Sequence, residues 1–128
     1  MHPEAPVDDA FRDATRAYFA SELEAGRLLA WTAEVDGGLV GLALLMVHTH
    51  PPRMRGRTAC TERRGYVTTV FVDRDHRRRG VARAMMESLL AHAKTDGLRR
   101  VLLRTSDDGR ALYTSLGFAQ LEHLAWES

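Results

Sequence analysis

The stretch Val70-Phe71-Val72-Asp73-Arg74-Asp75-His76-Arg77-Arg78-Arg79-Gly80-Val81-Ala82-Arg83 decides how the rest of the chain is read. β-Branched and aromatic residues up to Val72 predict a strand over 66–72. A polar connection covers 73–79. A helix then starts at Gly80 and runs to Thr95, with Val81, Met85 and Leu89 on one face beside Ala82, Met86 and Ala93. The first turn of a helix carries unpaired N–H groups and the positive end of the dipole. Such an end takes up anions, phosphates among them. Gly80, without a Cβ, admits a ligand close to the backbone, and Ala82 keeps the next turn narrow. Arg77, Arg78 and Arg79 add positive charge. The expectation is a phosphate or pyrophosphate group held at residues 77–83. The segment lacks the Gly-Lys-Ser/Thr ending of a P-loop and the three glycines of a dinucleotide fold.

Working outward, residues 7–25 read as a helix. Phe11, Ala14, Tyr18, Phe19 and Leu23 share a face, Asp8 or Asp9 caps the start, and Gly26 ends it. Leu29, Trp31, Ala33 and Val35 alternate with Ala30, Thr32 and Glu34, the pattern of a strand. Asp36-Gly37-Gly38 signals a hairpin turn. Residues 39–48 are apolar on both faces, which predicts a strand buried on both sides. Residues 49–64, rich in Pro, Arg and Gly, read as a loop. Beyond the second helix, Gly97 is a stop signal. A strand over 98–104, a short helix over 108–116, Gly117 and a closing strand over 118–123 complete the order α-β-β-β-α-β-α-β. A hairpin implies antiparallel pairing, and the later β-α-β crossover implies a parallel pair. The fold class is α/β, an α+β mixed sheet with helices on both faces.

A chain of 128 residues is one domain's length, so residues 1–128 are read as a single domain. Apolar residues at 45% and charged residues at 27% suit a soluble globular protein with one core. Cys60 is the lone cysteine, so no intrachain disulfide can form, which fits a reducing compartment. The most apolar run, 39–47, is far short of the roughly 20 residues of a spanning helix. Met1-His2-Pro3-Glu4 lacks the features of a signal peptide. A cytoplasmic protein with no membrane partner is expected. The net charge of +1 argues against a polyanion partner for the molecule as a whole, leaving the basic cluster to attract a local anion.

Arg77-x-x-Gly80-x-Ala82 resembles the Gln/Arg-x-x-Gly-x-Gly/Ala motif of the GNAT superfamily of N-acetyltransferases. Ala111-Leu112-Tyr113-x-x-x-Gly117-Phe118 resembles the Leu-Tyr-x-x-x-Gly-Phe segment of the same family. Each motif alone is loose; their separation and element order together are specific, and the resemblance covers residues 27–120. It implies a GNAT-like acyl-CoA N-acyltransferase fold with acetyl-CoA as co-substrate and no metal. The backbone of Val70, Phe71 and Val72 would bond the pantetheine arm as an added strand. Amides of Arg78, Arg79, Gly80, Val81, Ala82 and Arg83 would hold the pyrophosphate, with Arg77 at the motif's first position. Tyr113 would lie near the sulfur, and Ser106 would face the cofactor. The family opens with a strand and a helix ahead of the helix read here, so either the sheet lacks its first strand or the start is truncated, which bears on the N-terminal part of the substrate site.

The implied reaction moves acetyl from acetyl-CoA to a primary amine by direct attack in a ternary complex. The amine must lose a proton from a pKa near about 10, to a base or a water chain. An oxyanion donor is worth roughly 3 kcal/mol in comparable sites; the resemblance suggests a backbone N–H near Val72. Tyr113 is the candidate acid for the leaving thiolate, because a phenol stays protonated at neutral pH. Packing on an amphipathic helix is its other reading. Glu62 is the candidate base, ahead of the strand where relatives sometimes place a carboxylate; its other reading is a solvated loop residue. Asp73, His48 and His50 are further candidates. His48 and His50 share a face, yet no third metal ligand is evident.

Met85 and Met86 read as core filler, Trp31 and Trp126 as core or interface aromatics, and Cys60 as non-catalytic. Two other readings compete. A silent acyl-CoA-binding module would keep the pyrophosphate loop without needing Tyr113 or a base. A nucleic-acid-binding helix over 77–94 needs a preceding helix where a strand is read, and a more basic domain. The expected partner is therefore a small-molecule or peptide amine, with no nucleic acid. The resemblance leaves a homodimer open.

Overall fold

The computed structural model of the protein describes residues 9–122 and 124–128. Its central sheet has four strands in the order β1 (Leu28–Val35), β2 (Gly38–Thr49), β5 (Arg63–Val72) and β6 (Arg100–Leu103). The first two junctions are antiparallel and β5 with β6 is parallel, as a hairpin followed by a helical crossover requires. Asp36 and Gly37 form the first turn, both at positive φ (51° and 79°). That is the two-residue turn whose twist matches its strands.

The crossover helix α2 (Val81–Thr95) covers one face of the sheet. Its Met85, Met86 and Leu89 pack on Ala43, Leu45 and Val47 of β2 and Val67 of β5, all buried. Burying each large apolar side chain contributes about 1.5–3 kcal/mol. β2 was expected to be buried on both sides; Leu42, Leu44 and Met46 on its other face are only half-buried. Helix α1 (Asp9–Glu24) packs on β1 and leaves Tyr18, Phe19 and Leu23 exposed. Val7 and Asp8 lie outside the described residues.

The three α-helices among the described residues end alike. After α2, Gly97 turns left-handed at φ 75°, its amide donates to the Lys94 carbonyl at 3.3 Å, and the Leu98 amide donates to that of Ala93 at 2.9 Å. This paired arrangement satisfies carbonyls that a helix end leaves free. Gly26 and Arg27 close α1 in the same way, and Gly117 and Phe118 close α3 (Asp107–Ser115).

Two readings of the sequence need correction. Residues 49–64 are not simply a loop: β3 (Arg53–Arg55) and β4 (Thr58–Cys60) form a hairpin across Gly56-Arg57. Gly56 at φ 62° was the available signal. The closing strand expected over 118–123 does not form in residues 118–122, and His123 lies outside the described residues. Apolar spacing there suits a strand, but a strand needs a neighbour for its N–H and C=O groups, and none of the described strands pairs with this segment. Trp126, read as core or interface, is 87% exposed in the single chain.

Glu62 anchors the small hairpin to the main sheet. It is buried at 6% exposure between β4 and β5. Its Oε1 accepts from Nη2 of Arg55 at 2.8 Å, its Oε2 accepts from Arg64, and Arg53 and Arg99 stand at 3.9 and 4.0 Å. The bond from Arg64, ahead of the other guanidinium contacts, holds its carboxyl below the ordinary range against the opposing effect of burial. A carboxylate with a depressed pKa stabilises the fold above its unfolded value of about 4.3 and loses that contribution as pH falls through the folded pKa. Denaturant unfolding should therefore show stability level from neutrality to about pH 5 and falling below it. Glu62→Gln should lower stability at pH 7, because it leaves arginines uncompensated, and should flatten the acid decline.

Candidate functional site

β5 has partners on both sides only up to Val67, which faces Leu103 in the last pair of the β5–β6 ladder. Beyond it β5 continues against β2 alone, with Val70 opposite Ala43, Phe71 opposite Leu42 and Val72 opposite Gly41. The register also slips there. Leu44 faces Thr69 while Leu45 faces Val67, so Thr68 is an extra residue on the β5 side. Such a bulge bends a strand and raises its twist. The edge of β5 over residues 68–72 is left free of β6, and a cavity of 220 Å³ opens at the divergence.

Thr68, Thr69 and Val70 line that cavity from β5; Ser106, Gly109 and Tyr113 line it from α3 and its start. Ser106 is the residue before the first turn of α3 and makes no capping bond with its hydroxyl. Gly109 holds the Tyr113 ring close: a Cβ there would meet Cε2 of Tyr113 at 3.1 Å and Oγ1 of Thr105 at 2.5 Å. Tyr113 stacks edge-on against Phe118 at 5.8 Å. These are the residues three back from and two beyond the α3 cap, a pair that commonly packs at this kind of helix end. The Leu-Tyr-x-x-x-Gly-Phe spacing thus has a structural basis, and the same tyrosine reaches the cavity. Burial pushes the Tyr113 phenol up from its ordinary pKa, which keeps the hydroxyl protonated.

The basic connection follows β5 directly. A short 3₁₀ turn (Arg74–His76) leads from Asp73, whose amide donates to the Val40 carbonyl at 2.7 Å. His76 Nδ1 lies 3.3 Å from Oδ2 of Asp73. Arg78 then takes φ 62° and Gly80 φ 80°. A left-handed arginine is uncommon and marks a backbone shaped for some purpose. Left-handed residues set among right-handed ones turn successive amides toward a common concavity. The first amide of α2 bonded within the backbone is that of Ala84, to the Gly80 carbonyl at 3.0 Å. Among the described residues, the amides of Arg78, Arg79, Gly80, Val81, Ala82 and Arg83 donate to no backbone carbonyl. The side chains of Arg77, Arg78 and Arg79 are exposed around them.

Not every expected residue is available to an anion. Arg77 Nε donates to the Val72 carbonyl at 3.1 Å, so this side chain braces the end of β5 and occupies a group assigned to the pantetheine arm. Arg83 donates to Oγ of Ser115 and lies 3.7 Å from Glu87, tying α2 to α3. Glu62 is not at the cavity. It lies six residues before Thr68, about 20 Å along an extended strand, and is committed to its arginines. Among the described residues, the cavity lining contains no carboxylate and no histidine. Asp73, His48 and His50 are absent from it too, and the described residues hold no cluster of three or more His, Cys, Asp or Glu suited to a metal. Thr68, Thr69 and Gly109 are site residues that sequence reading missed. The two threonines interrupt the apolar run of β5, a visible trace of the bulge.

The chain matches the sequence profile of the acetyltransferase (GNAT) family over residues 2–118. It is 32% identical over 109 residues to N-acetyltransferase 8 of Homo sapiens, covering 83% of this chain and 43% of that protein. It is 34% identical over 128 residues to mycothiol acetyltransferase of Saccharomonospora viridis, covering 94% of this chain and 39% of the relative. The chain thus spans less than half the length of these curated relatives. A predicted acetyltransferase of Clostridium acetobutylicum, crystallised with acetyl-CoA, superposes with a TM-score of 0.77 at 26% identity, covering 98% of this chain and 79% of that one. A GCN5-related N-acetyltransferase of Ralstonia eutropha superposes with a TM-score of 0.76 at 26% identity, covering 93% and 76%. The mixed sheet and the motif-bearing loop coincide with a family match across nearly the whole sequence, and the chain belongs to the GNAT family of acetyltransferases.

Proposed function

We propose that the protein is an acetyl-CoA-dependent N-acetyltransferase that moves acetyl to a primary amine by direct attack in a ternary complex. The observation that carries this reading is the run of amides from Arg78 to Arg83 that donate to no backbone carbonyl among the described residues, following the β5 edge over 68–72 that β6 leaves open. A diphosphate fits the first feature and an extended, amide-bearing arm fits the second. The structural relative crystallised with acetyl-CoA supports the same ligand.

Acetyl-CoA supplies an activated thioester when bound. The chain's own residues then divide the work. Amides of Arg78, Arg79, Gly80, Val81, Ala82 and Arg83 hold the pyrophosphate, and Arg78 and Arg79 screen its charge. Val70, Phe71 and Val72 offer backbone groups to the arm, with Arg77 bracing the strand end. Ser106 faces the cavity beside the arm. Tyr113 donates its hydroxyl proton toward the departing sulfur, and its raised pKa keeps that proton in place at neutral pH. A β5 amide on the open edge receives the developing oxyanion. The described lining supplies no carboxylate or imidazole, so the ammonium proton of the acceptor leaves through water. Glu62 has no part in this step.

Calorimetric titration with acetyl-CoA tests the ligand, with ATP and NADPH as controls. Gly80→Asp should weaken binding about tenfold or more, because it loads a left-handed position with a side chain and sets a carboxylate against the phosphates. Unchanged affinity would remove the loop from the site. Tyr113→Phe should lower turnover by about a hundredfold with little change in acetyl-CoA affinity; full turnover at saturation would deny it the acid role. With no protein base, kcat/KM should rise roughly tenfold per pH unit through neutrality toward the acceptor's own pKa near about 10. A plateau near pH 7 would reveal a protein base.

A further inference from the structure

We propose that Gly41 is a positioning residue for the transfer site, setting how closely the first turn of α2 approaches the end of β5. Its effect on ligand affinity rests on the acetyl-CoA reading; the packing itself does not. Gly41 is buried in β2, paired with Ala33 of β1 on one side and Val72 of β5 on the other. Glycine inside a strand weakens it, because it has no side chain to pack, and marks a place where another element comes close. Here that element is α2. A Cβ at Gly41 would meet Cε of Met85 at 3.0 Å, Cγ1 of Val81 at 3.1 Å and Sδ of Met85 at 3.2 Å. Non-bonded carbons rest about 3.5–4.0 Å apart, so an alanine methyl fits only if its neighbours give way. Val81 opens α2 and is stiff at its first side-chain torsion. Met85, one turn on, is more adaptable but is held in the buried core. Gly41 does not take a positive φ, so close approach, and not backbone freedom, is what calls for glycine there.

The same spot ties together the two halves of the site. Val72, opposite Gly41, is the last residue of β5. The Asp73 amide donates to the carbonyl of Val40, the neighbour of Gly41, at 2.7 Å. Arg77 Nε donates back to the Val72 carbonyl at 3.1 Å. Hydrogen bonds thus fix the finish of β5 and the first part of the basic loop to β2. The far side of the loop is fixed by packing, since Gly80 leads into Val81 and Val81 rests against Gly41. A ligand with a diphosphate on the amides of residues 78–83 and an extended arm along β5 spans both attachments. Lifting α2 by a few tenths of an ångström, the give that a Cβ at residue 41 demands, leaves each half intact and moves one relative to the other. A ligand engaged at two fixed points loses affinity when their separation changes, even where each point is unharmed.

Amide NMR spectra of the ligand-free chain read the geometry, and calorimetric titration with acetyl-CoA reads its consequence. Gly41→Ala should leave the chain folded, with a cooperative thermal transition. It should shift the amide resonances of Arg78, Arg79 and Gly80, none of which supplies the contacts at residue 41. It should also weaken acetyl-CoA binding about tenfold. Adding Met85→Val removes Sδ and Cε, two of the three close atoms, at nearly constant total volume. The double variant should recover most of the affinity and return the loop resonances toward their wild-type positions. Val47→Ala, a core truncation nearer the other end of β2, should lower the unfolding temperature and leave acetyl-CoA affinity unchanged, which separates positioning from a general loss of stability. Unmoved loop resonances would overturn the role of Gly41, as would a double variant that binds no better than Gly41→Ala or an equal loss of affinity in Val47→Ala. A wild-type chain that binds no acetyl-CoA would instead remove the acetyl-CoA reading, and the loop resonances would still decide the role of Gly41.

Discussion

Everything specific about this molecule depends on β5 losing one partner and keeping the other. For four residue pairs it is held on both sides, by β2 and by β6. After Val67 the parallel ladder stops, the bulge at Thr68 redirects the strand, and β2 alone carries it to Val72. Backbone groups that lose a ladder in a protein interior must find other partners. At an open cavity those partners can come from a ligand. The divergence thus supplies both the space beside Tyr113 and the open strand edge, and the basic loop at 73–80 leads from that edge into α2.

The second constraint is backbone curvature at the loop. Arg78 and Gly80 both lie in the left-handed region, with ordinary chain before and after. Left-handed residues in such a loop turn successive amides toward a common concavity. Glycine accepts this at no steric cost, while arginine accepts it at some strain. The neighbouring charges are less interchangeable than the Arg-Arg-Arg run suggests. Arg77 braces Val72, while Arg78 and Arg79 extend into solvent around the free amides.

Charge placement separates the two ends of β5. At its start, Glu62 gathers Arg53, Arg55, Arg64 and Arg99 and fastens the β3–β4 hairpin. At its finish, the basic loop has few internal acids to satisfy and faces outward. A buried carboxylate held by several guanidiniums is ionised and occupied, which suits an anchor and not a base that must collect protons. From sequence alone, Glu62 showed only its position ahead of a strand; its arginine partners come from segments that only the fold brings together.

Short-range physics was legible in the sequence. Gly26, Gly97 and Gly117 end three helices because each end needs a left-handed residue with its amide turned back. Asp36-Gly37 makes its hairpin for a related reason. The periodicity of α2 and the glycine at its start singled out the basic loop ahead of it, and the two motifs pointed to the family. Tertiary structure decided what local pattern could not. Strand pairing depends on partners far along the chain: residues 118–122 have the spacing of a strand and no neighbour, while Arg53–Arg55 and Thr58–Cys60 find each other inside a stretch that reads as loop. Where β5 parts from β6, and which side chains then face the gap, follows from register between segments 36 residues apart, with Val67 opposite Leu103. Apolar periodicity says which face of an element is buried; only packing says against what.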